Sequence, residues 1–141
     1  MARILVVEDD VLNMKLAVML LAIAGHETLQ AWNAEEGLRL AREYSPELVL
    51  MDIRLPGIDG LTATRLLRSS ATTRDIKIVA VTARVMPGDR DATEAAGCNG
   101  YIAKPINFKE FINTVEQVLG EDREALTTHR LHRQDPHLIS D

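Results

Sequence analysis

The chain has one cysteine, Cys98, in 141 residues, so no internal disulfide framework can hold it, which is compatible with a reducing cytoplasm. Beside Gly97, that cysteine reads as a small buried filler. Long hydrophobic runs are also missing. The greasiest stretch, Leu16 to Ala24, is far short of the ~20 residues that a membrane span needs. Met1-Ala2-Arg3 leads straight into a strand-like run, with no signal-peptide pattern. Excess positive charge is absent too, and the formal net charge of -5 argues against a broad nucleic-acid surface. There is no G-x-G-x-x-G or Walker loop to cradle the phosphates of a nucleotide, no internal repeat and no low-complexity tract. These absences point to a cytoplasmic protein with no membrane span and no direct nucleic-acid contact. Apolar residues at 46% and charged ones at 26% suffice for one core at this length.

Strand-like and helix-like segments alternate five times along the chain. Ile4–Val7 predicts a first strand, and Val11–Ala24 a first helix with Asp10 as its N-cap and Gly25 as its stop. Glu27–Trp32 reads as a weaker strand near an edge. Asn33 with Glu36 forms a capping box that opens a second helix, and Pro46 ends it. Leu48–Met51 is a third strand, followed by the Pro56-Gly57-Ile58-Asp59-Gly60 turn and a short third helix, Leu61–Arg68. Ile76–Val81 predicts a fourth strand, Gly88–Ala96 a fourth helix and Tyr101–Ala103 a fifth strand. Asn107 with Glu110 opens a final helix, expected to run to Leu119 with Gly120 as its stop. Five βα units imply an α/β fold, a doubly wound parallel sheet with helices on both faces. Residues 1–120 are expected to form one domain, and the polar residues 121–141 a helix extension or a disordered tail. His129 and His132 share helical i, i+3 spacing but bring no third ligand, so they read as part of a solvated tail.

Sites in such folds lie beyond the carboxyl ends of the strands. Asp52 ends the buried run Leu48-Val49-Leu50-Met51, a costly place for a charge unless something there needs it. Glu8 and Asp9 stand at the same end of Ile4-Leu5-Val6-Val7. If the first and third strands are neighbours, three carboxylates cluster, and their repulsion raises at least one pKa. A hard cation such as Mg²⁺ relieves that repulsion and shares a phosphate oxygen readily. Thr82, after Ile78-Val79-Ala80-Val81, and Lys104, after Tyr101-Ile102-Ala103, would add a hydroxyl and an ammonium. Together they make a cradle for phosphoryl oxygens, with a structural ion pair at Lys104 as the plainer alternative. In the phosphoryl reading Asp52 is the nucleophile and the product an acyl phosphate. Pro105 favours a cis peptide after Lys104. Aspartyl-phosphate phosphohydrolases share this nucleophile and Mg²⁺, but they usually place a second acid two residues on, where this chain has Arg54.

Val7-Glu8-Asp9-Asp10, Leu50-Met51-Asp52 with Pro56-Gly57 and Asp59-Gly60, Val81-Thr82-Ala83, and Tyr101-Ile102-Ala103-Lys104-Pro105 resemble the receiver domain of two-component response regulators. Each motif alone is weak, but the ordered set is specific and covers roughly Ala2 to Leu119. The resemblance implies a flavodoxin-like (βα)5 fold with strand order 2-1-3-4-5. It implies Asp52 as phosphoacceptor, taking its phosphoryl group from a phosphohistidine protein in a Mg²⁺-dependent step, with Mn²⁺ as a substitute. Glu8, Asp9, Asp52 and the backbone carbonyl of Arg54 would be the metal ligands. Thr82 would be the switch hydroxyl, Lys104 the phosphate contact and Tyr101 the aromatic that repacks. Such a protein switches protein–protein interactions and catalyses only its own phosphorylation and dephosphorylation. Glu8 stands where many members have Asp. The Asn13 spacing, Met86-Pro87-Gly88-Asp89-Arg90 and Lys104-Pro105-Ile106 look more like hybrid-kinase and stand-alone cell-cycle receivers than like receivers fused to winged-helix domains. Arg54 and Arg84, two residues beyond Asp52 and Thr82, either border the phosphoryl group and set its lifetime or simply face solvent.

Only Asn13 and Lys15 are strongly polar between Val11 and Ala24. Placing Leu12, Leu16, Leu20 and Ile23 on the sheet leaves Met14, Val18 and Leu21 on the far side. That apolar far face suggests helix-to-helix docking, and methionine suits an adaptable interface. By resemblance the partner would be the helical bundle of a histidine kinase or histidine phosphotransfer protein, reached also through the loop between the fifth strand and the last helix. A homodimer through the same face is the main rival arrangement, and simple extra core burial of these residues is the plainer alternative. The downstream target would be a further protein that the sequence does not name.

Overall fold

Five parallel strands alternate with five helices in the computed structural model, which describes the backbone of residues 1–83 and 88–133 and side chains through residue 120. The elements are β1 (Arg3–Val7), α1 (Val11–Ile23), β2 (Glu27–Ala31), α2 (Ala34–Tyr44) and β3 (Leu48–Asp52). After them come α3 (Gly60–Arg68), β4 (Lys77–Thr82), α4 (Asp89–Ala96), β5 (Gly100–Ala103) and α5 (Phe108–Arg133). The strand order is β2-β1-β3-β4-β5, the expected doubly wound arrangement. β1 pairs with β3 through Ile4–Leu48 to Val7–Met51, so the ends of these two strands lie side by side. β2 is an edge strand, as its weaker apolar pattern foretold.

Alternation along each strand divides the core between the two faces of the sheet. Ile4, Val6, Leu48, Leu50, Val79 and Val81 pack with Met14, Leu21, Phe111 and Val115 of α1 and α5. Leu5, Val7, Val49, Met51 and Ile78 pack with Leu38, Ala41, Ala63 and Leu67 of α2 and α3. Every residue of β3 is buried, including the acid at its end.

Helix caps fall where the side-chain chemistry puts them. Asp10 accepts from the Asn13 N–H at 2.8 Å, Asn33 from Glu36 at 2.8 Å, and Asn107 from Glu110 at 3.1 Å. Glu36 reaches back to the Trp32 N–H at 2.9 Å. Gly25 follows α1 with φ +88°, a conformation that lets the chain turn without a Cβ clash.

Two expectations need correction. α1 is rotated from the expected setting: Leu20 is buried and Leu16 packs against the core as anticipated, but the rest of the face differs. Met14 is 1% exposed and Leu21 fully buried, whereas Leu12 is 75% exposed and Val11, Met19 and Ile23 also face outward. A helix apolar on every side offers no polar stripe to fix its rotation, so Met14, Ala17 and Leu21, spaced i, i+3, i+7, fit the core as well as the alternative did. The second correction concerns Gly120. It does not stop α5, which continues to Arg133. Gly120 is not among the positive-φ glycines, and good helix formers such as Glu121, Arg123, Glu124, Ala125 and Leu126 follow it.

Candidate functional site

Parallel pairing delivers the chemistry to one edge of the sheet. Glu8 follows β1, Asp52 ends β3, Thr82 ends β4 and Lys104 follows β5. Backbone bonds extend the ladders past the strands: Glu8 N–H donates to Ala31 O at 3.0 Å, Ile53 to Val81 at 3.0 Å, and Lys104 to Thr82 at 2.8 Å. Glu8, Asp9 and Asp52 each offer a carboxylate oxygen, all within 4.8 Å of one another. Glu8 and Asp52 are 5% and 4% exposed, while Asp9 faces solvent. The donor set is all oxygen, which suits a hard divalent cation.

Lys104 is the counter-ion of this cluster. Its Nζ donates to Glu8 Oε1 at 2.8 Å and to Asp52 Oδ2 at 3.3 Å. The other oxygens are held by backbone donors: Asp10 N–H to Glu8 Oε2 at 3.1 Å and Arg54 N–H to Asp52 Oδ1 at 3.0 Å. The Lys104–Pro105 bond is cis, as the sequence suggested. Burial raises the Glu8 carboxyl to about 7, helped by its hydrogen bond with Asp52 and the Asp52 charge, and opposed by Lys104 and the Asp10 N–H. Burial works against the Lys104 ammonium, yet the Glu8 hydrogen bond and the Asp52 charge outweigh it and lift the pKa above the usual lysine value. So both the ion pair and the cation–phosphoryl cradle weighed from sequence begin with the same lysine.

Thr82 is buried at the end of its strand, beside Ala103 of β5. Tyr101 is half-buried on β5, with the Arg90 guanidinium over its ring. Arg54 is exposed in the loop after β3, with its N–H committed to Asp52. Arg84 lies outside the described residues, as do the side chains of His129 and His132.

Gly60 entered the sequence reading as a turn residue and as part of the Asp59-Gly60 motif, but its steric role shows only in the fold. Its N–H donates to Ile53 O at 3.0 Å. A Cβ there would strike the Asp52 carbonyl oxygen and come within 2.7 Å of Ile53 Cα. Glycine therefore lets α3, capped by Asp59 at 2.8 Å, begin directly against the backbone of the candidate nucleophile. A glycine immediately after a capping Asp, eight residues beyond Asp52, was the available signal.

A family model described as the response regulator receiver domain matches residues 4–116. The chain belongs to this family. The receiver is 44% identical over 118 residues to the polar-differentiation response regulator DivK of Brucella anthropi, covering 84% of this chain and 96% of that protein. DivK of Brucella ovis is 43% identical over the same shares. Among solved structures, the receiver domain of sensor histidine kinase PA1611 from Pseudomonas aeruginosa PAO1 superposes with a TM-score of 0.79 at 32% identity, over 85% of this chain and 98% of that one. That structure has a magnesium ion coordinated in its active-site cleft. A CheY-like receiver from Methanospirillum hungatei JF-1 gives a TM-score of 0.80 at 27% identity, over 87% and 97%. The receiver is thus a response regulator of two-component signalling, a family that accepts a phosphoryl group on aspartate. No helix among its described residues is long and apolar enough to cross a membrane.

Proposed function

We propose that Asp52 is the phosphoacceptor and that its modification is the signal. The observation that carries this reading is the Lys104 ammonium shared between Glu8 and Asp52 at 2.8 and 3.3 Å, at an edge where three carboxylates converge. Glu8, Asp9, Asp52 and the Arg54 carbonyl would hold Mg²⁺ or, as a substitute, Mn²⁺. The ion would supply charge neutralisation and a template for the phosphoryl oxygens. An Asp52 carboxylate oxygen attacks phosphorus, the bond from phosphorus to the donor nitrogen or oxygen breaks, and an acyl phosphate results. Lys104 then leaves part of its carboxylate pairing for a phosphoryl oxygen, and the Thr82 hydroxyl donates to another. Tyr101 follows Thr82 inward, which shifts the population of packings along α4, β5 and α5 and so the choice of protein partner. The catalysis is confined to the protein's own phosphorylation and dephosphorylation.

The phosphoryl donor in this reading is a cytoplasmic histidine kinase or phosphotransfer protein. It would dock on the outward face of α1, now Val11, Leu12, Met19 and Ile23, and on the 104–107 loop. Residues 1–120 act as the receiver proper, and the rest of α5 extends from it. Labelling with acetyl phosphate and Mg²⁺ tests the assignment: wild type takes up one base-labile, acid-sensitive phosphoryl group, and Asp52→Ala takes up none. A label that persists in the variant overturns it.

A further inference from the structure

The α4–β5 face carries a contact that the acid cluster does not require. Arg90 lies in the first turn of α4 between Asp89 and Asp91. A helix N-terminus carries partial positive charge, so acids are favoured there and a cation is opposed. Arg90 is nonetheless placed with its guanidinium carbon 5.4 Å from the centroid of the Tyr101 ring, within cation–π range. The pair forms the ridge between two surface grooves. One, of about 170 Å³, is lined further by Thr93, Glu94 and Cys98. The other, of about 450 Å³, is lined further by Glu110, Asn113 and Gln117. A ring that belongs to the walls of both grooves is held at the surface. Thr82, by contrast, is buried, whereas the guanidinium is exposed.

We infer that Arg90 is a positioning residue for the switch: stacked on Tyr101, it ties α4 to β5, holds the ring outward in the resting protein and weights the equilibrium against the phosphorylated packing. This rests on the reading of Tyr101 as the switch aromatic. A cation–π contact at an exposed site changes the ratio of the two ring positions about two- to fivefold. Arg90 thereby sets the threshold of the response without touching the phosphoryl group.

Fluorotyrosine labelling with ¹⁹F NMR reads the ring directly. The chain has two tyrosines, and Tyr44→Phe assigns the signals. Acetyl phosphate with Mg²⁺ is expected to move the Tyr101 resonance of the wild type. In Arg90→Met the resting resonance lies part-way to that phosphorylated position, and Asp52 is labelled about two- to fivefold faster. Arg90→Lys, which keeps a cation, falls between the two, and the Tyr44 resonance and the urea midpoint stay put. If the wild-type resonance moves but Arg90→Met matches wild type in resting position and labelling rate, the inference is overturned and the switch reading stands. If the wild-type resonance stays still while Asp52 is fully labelled, the Tyr101 reading itself fails and takes the inference with it.

Discussion

Replacing Lys104 with methionine removes the ammonium shared by Glu8 and Asp52 and keeps a side chain of similar length. Two buried carboxylates are then left facing each other without a cation. Removing one partner from a buried charge pair costs about 3–5 kcal/mol. That is a large share of the ~5–15 kcal/mol that holds a domain together. Glu8 offers relief at low pH. Its rise from 4.5 to about 7, caused first by burial, corresponds to about 3 kcal/mol of ionisation cost in the folded state. An acid whose folded-state pKa exceeds its unfolded value binds more protons folded than unfolded. Metal-free stability therefore falls as pH rises from 4.5 through about 7 and stays low above that window. Without Lys104 the Glu8 carboxyl rises further. The loss in Lys104→Met is then smaller at about pH 5 than at about pH 8, because it grows as pH rises above the wild-type value of about 7. Urea unfolding in EDTA at both pH values measures it, and Mg²⁺, which compensates the same carboxylates, restores most of the deficit at the higher pH. Equal losses at both pH values, with no recovery in Mg²⁺, would refute the assignment of Lys104 as the shared counter-ion.

Met14→Asp puts a charge into the core and lowers stability by more than the ~2–5 kcal/mol of simply emptying such a site. Leu12→Asp, on the outward face, changes the unfolding free energy in urea by less than ~0.5 kcal/mol. It slows transfer from a phosphohistidine donor but spares labelling by acetyl phosphate; unaffected transfer would remove α1 as the docking face. Gly60→Ala forces α3 away from the Asp52 carbonyl, costing about 1–3 kcal/mol and slowing acetyl phosphate labelling, and normal stability together with normal labelling would refute the close approach. Asp59→Ala removes the α3 cap for about 1 kcal/mol in urea unfolding. Chiefly the Thr62 N–H holds the Asp59 carboxyl below its usual 3.8, so the cap's contribution is present above that value and lost as pH falls through the lower folded-state one. The gap to wild type therefore closes in acid, and a constant gap would contradict the cap.

The strands were legible because each central one is a short apolar run between turn residues, and the acids at their ends stood out against that background. Strand order then fixed which acids meet, since Val7 and Met51 are paired in the sheet. What stayed hidden was rotational or depended on contacts across the chain. Leu12 and Met14 differ little in hydrophobicity, so nothing local told which of them α1 would bury. Gly120 carried a stop signal that the helix-forming residues after it outweighed. Arg68 gave no hint that its guanidinium would bond Gly97 O, Arg74 O, Ile76 O and Asn99 Oδ1, fastening the end of α3 to the turns around β4 and β5. Arg90 was legible only as part of a motif, though a cation in an acidic first turn is a local oddity that points to a contact elsewhere.

Of the three clustered acids, Asp52 is the one proposed to carry the phosphoryl group. Treating the Mg²⁺-loaded protein with acetyl phosphate, reducing the acyl phosphate with borohydride and mapping peptides by mass spectrometry tests it directly, because reduction turns a phosphorylated aspartate into homoserine. Homoserine is expected at position 52, formed with Mg²⁺ and absent in EDTA. Reduction at position 9, a reduced glutamate at position 8, or unmodified Asp52 in protein that has taken up phosphate would contradict it.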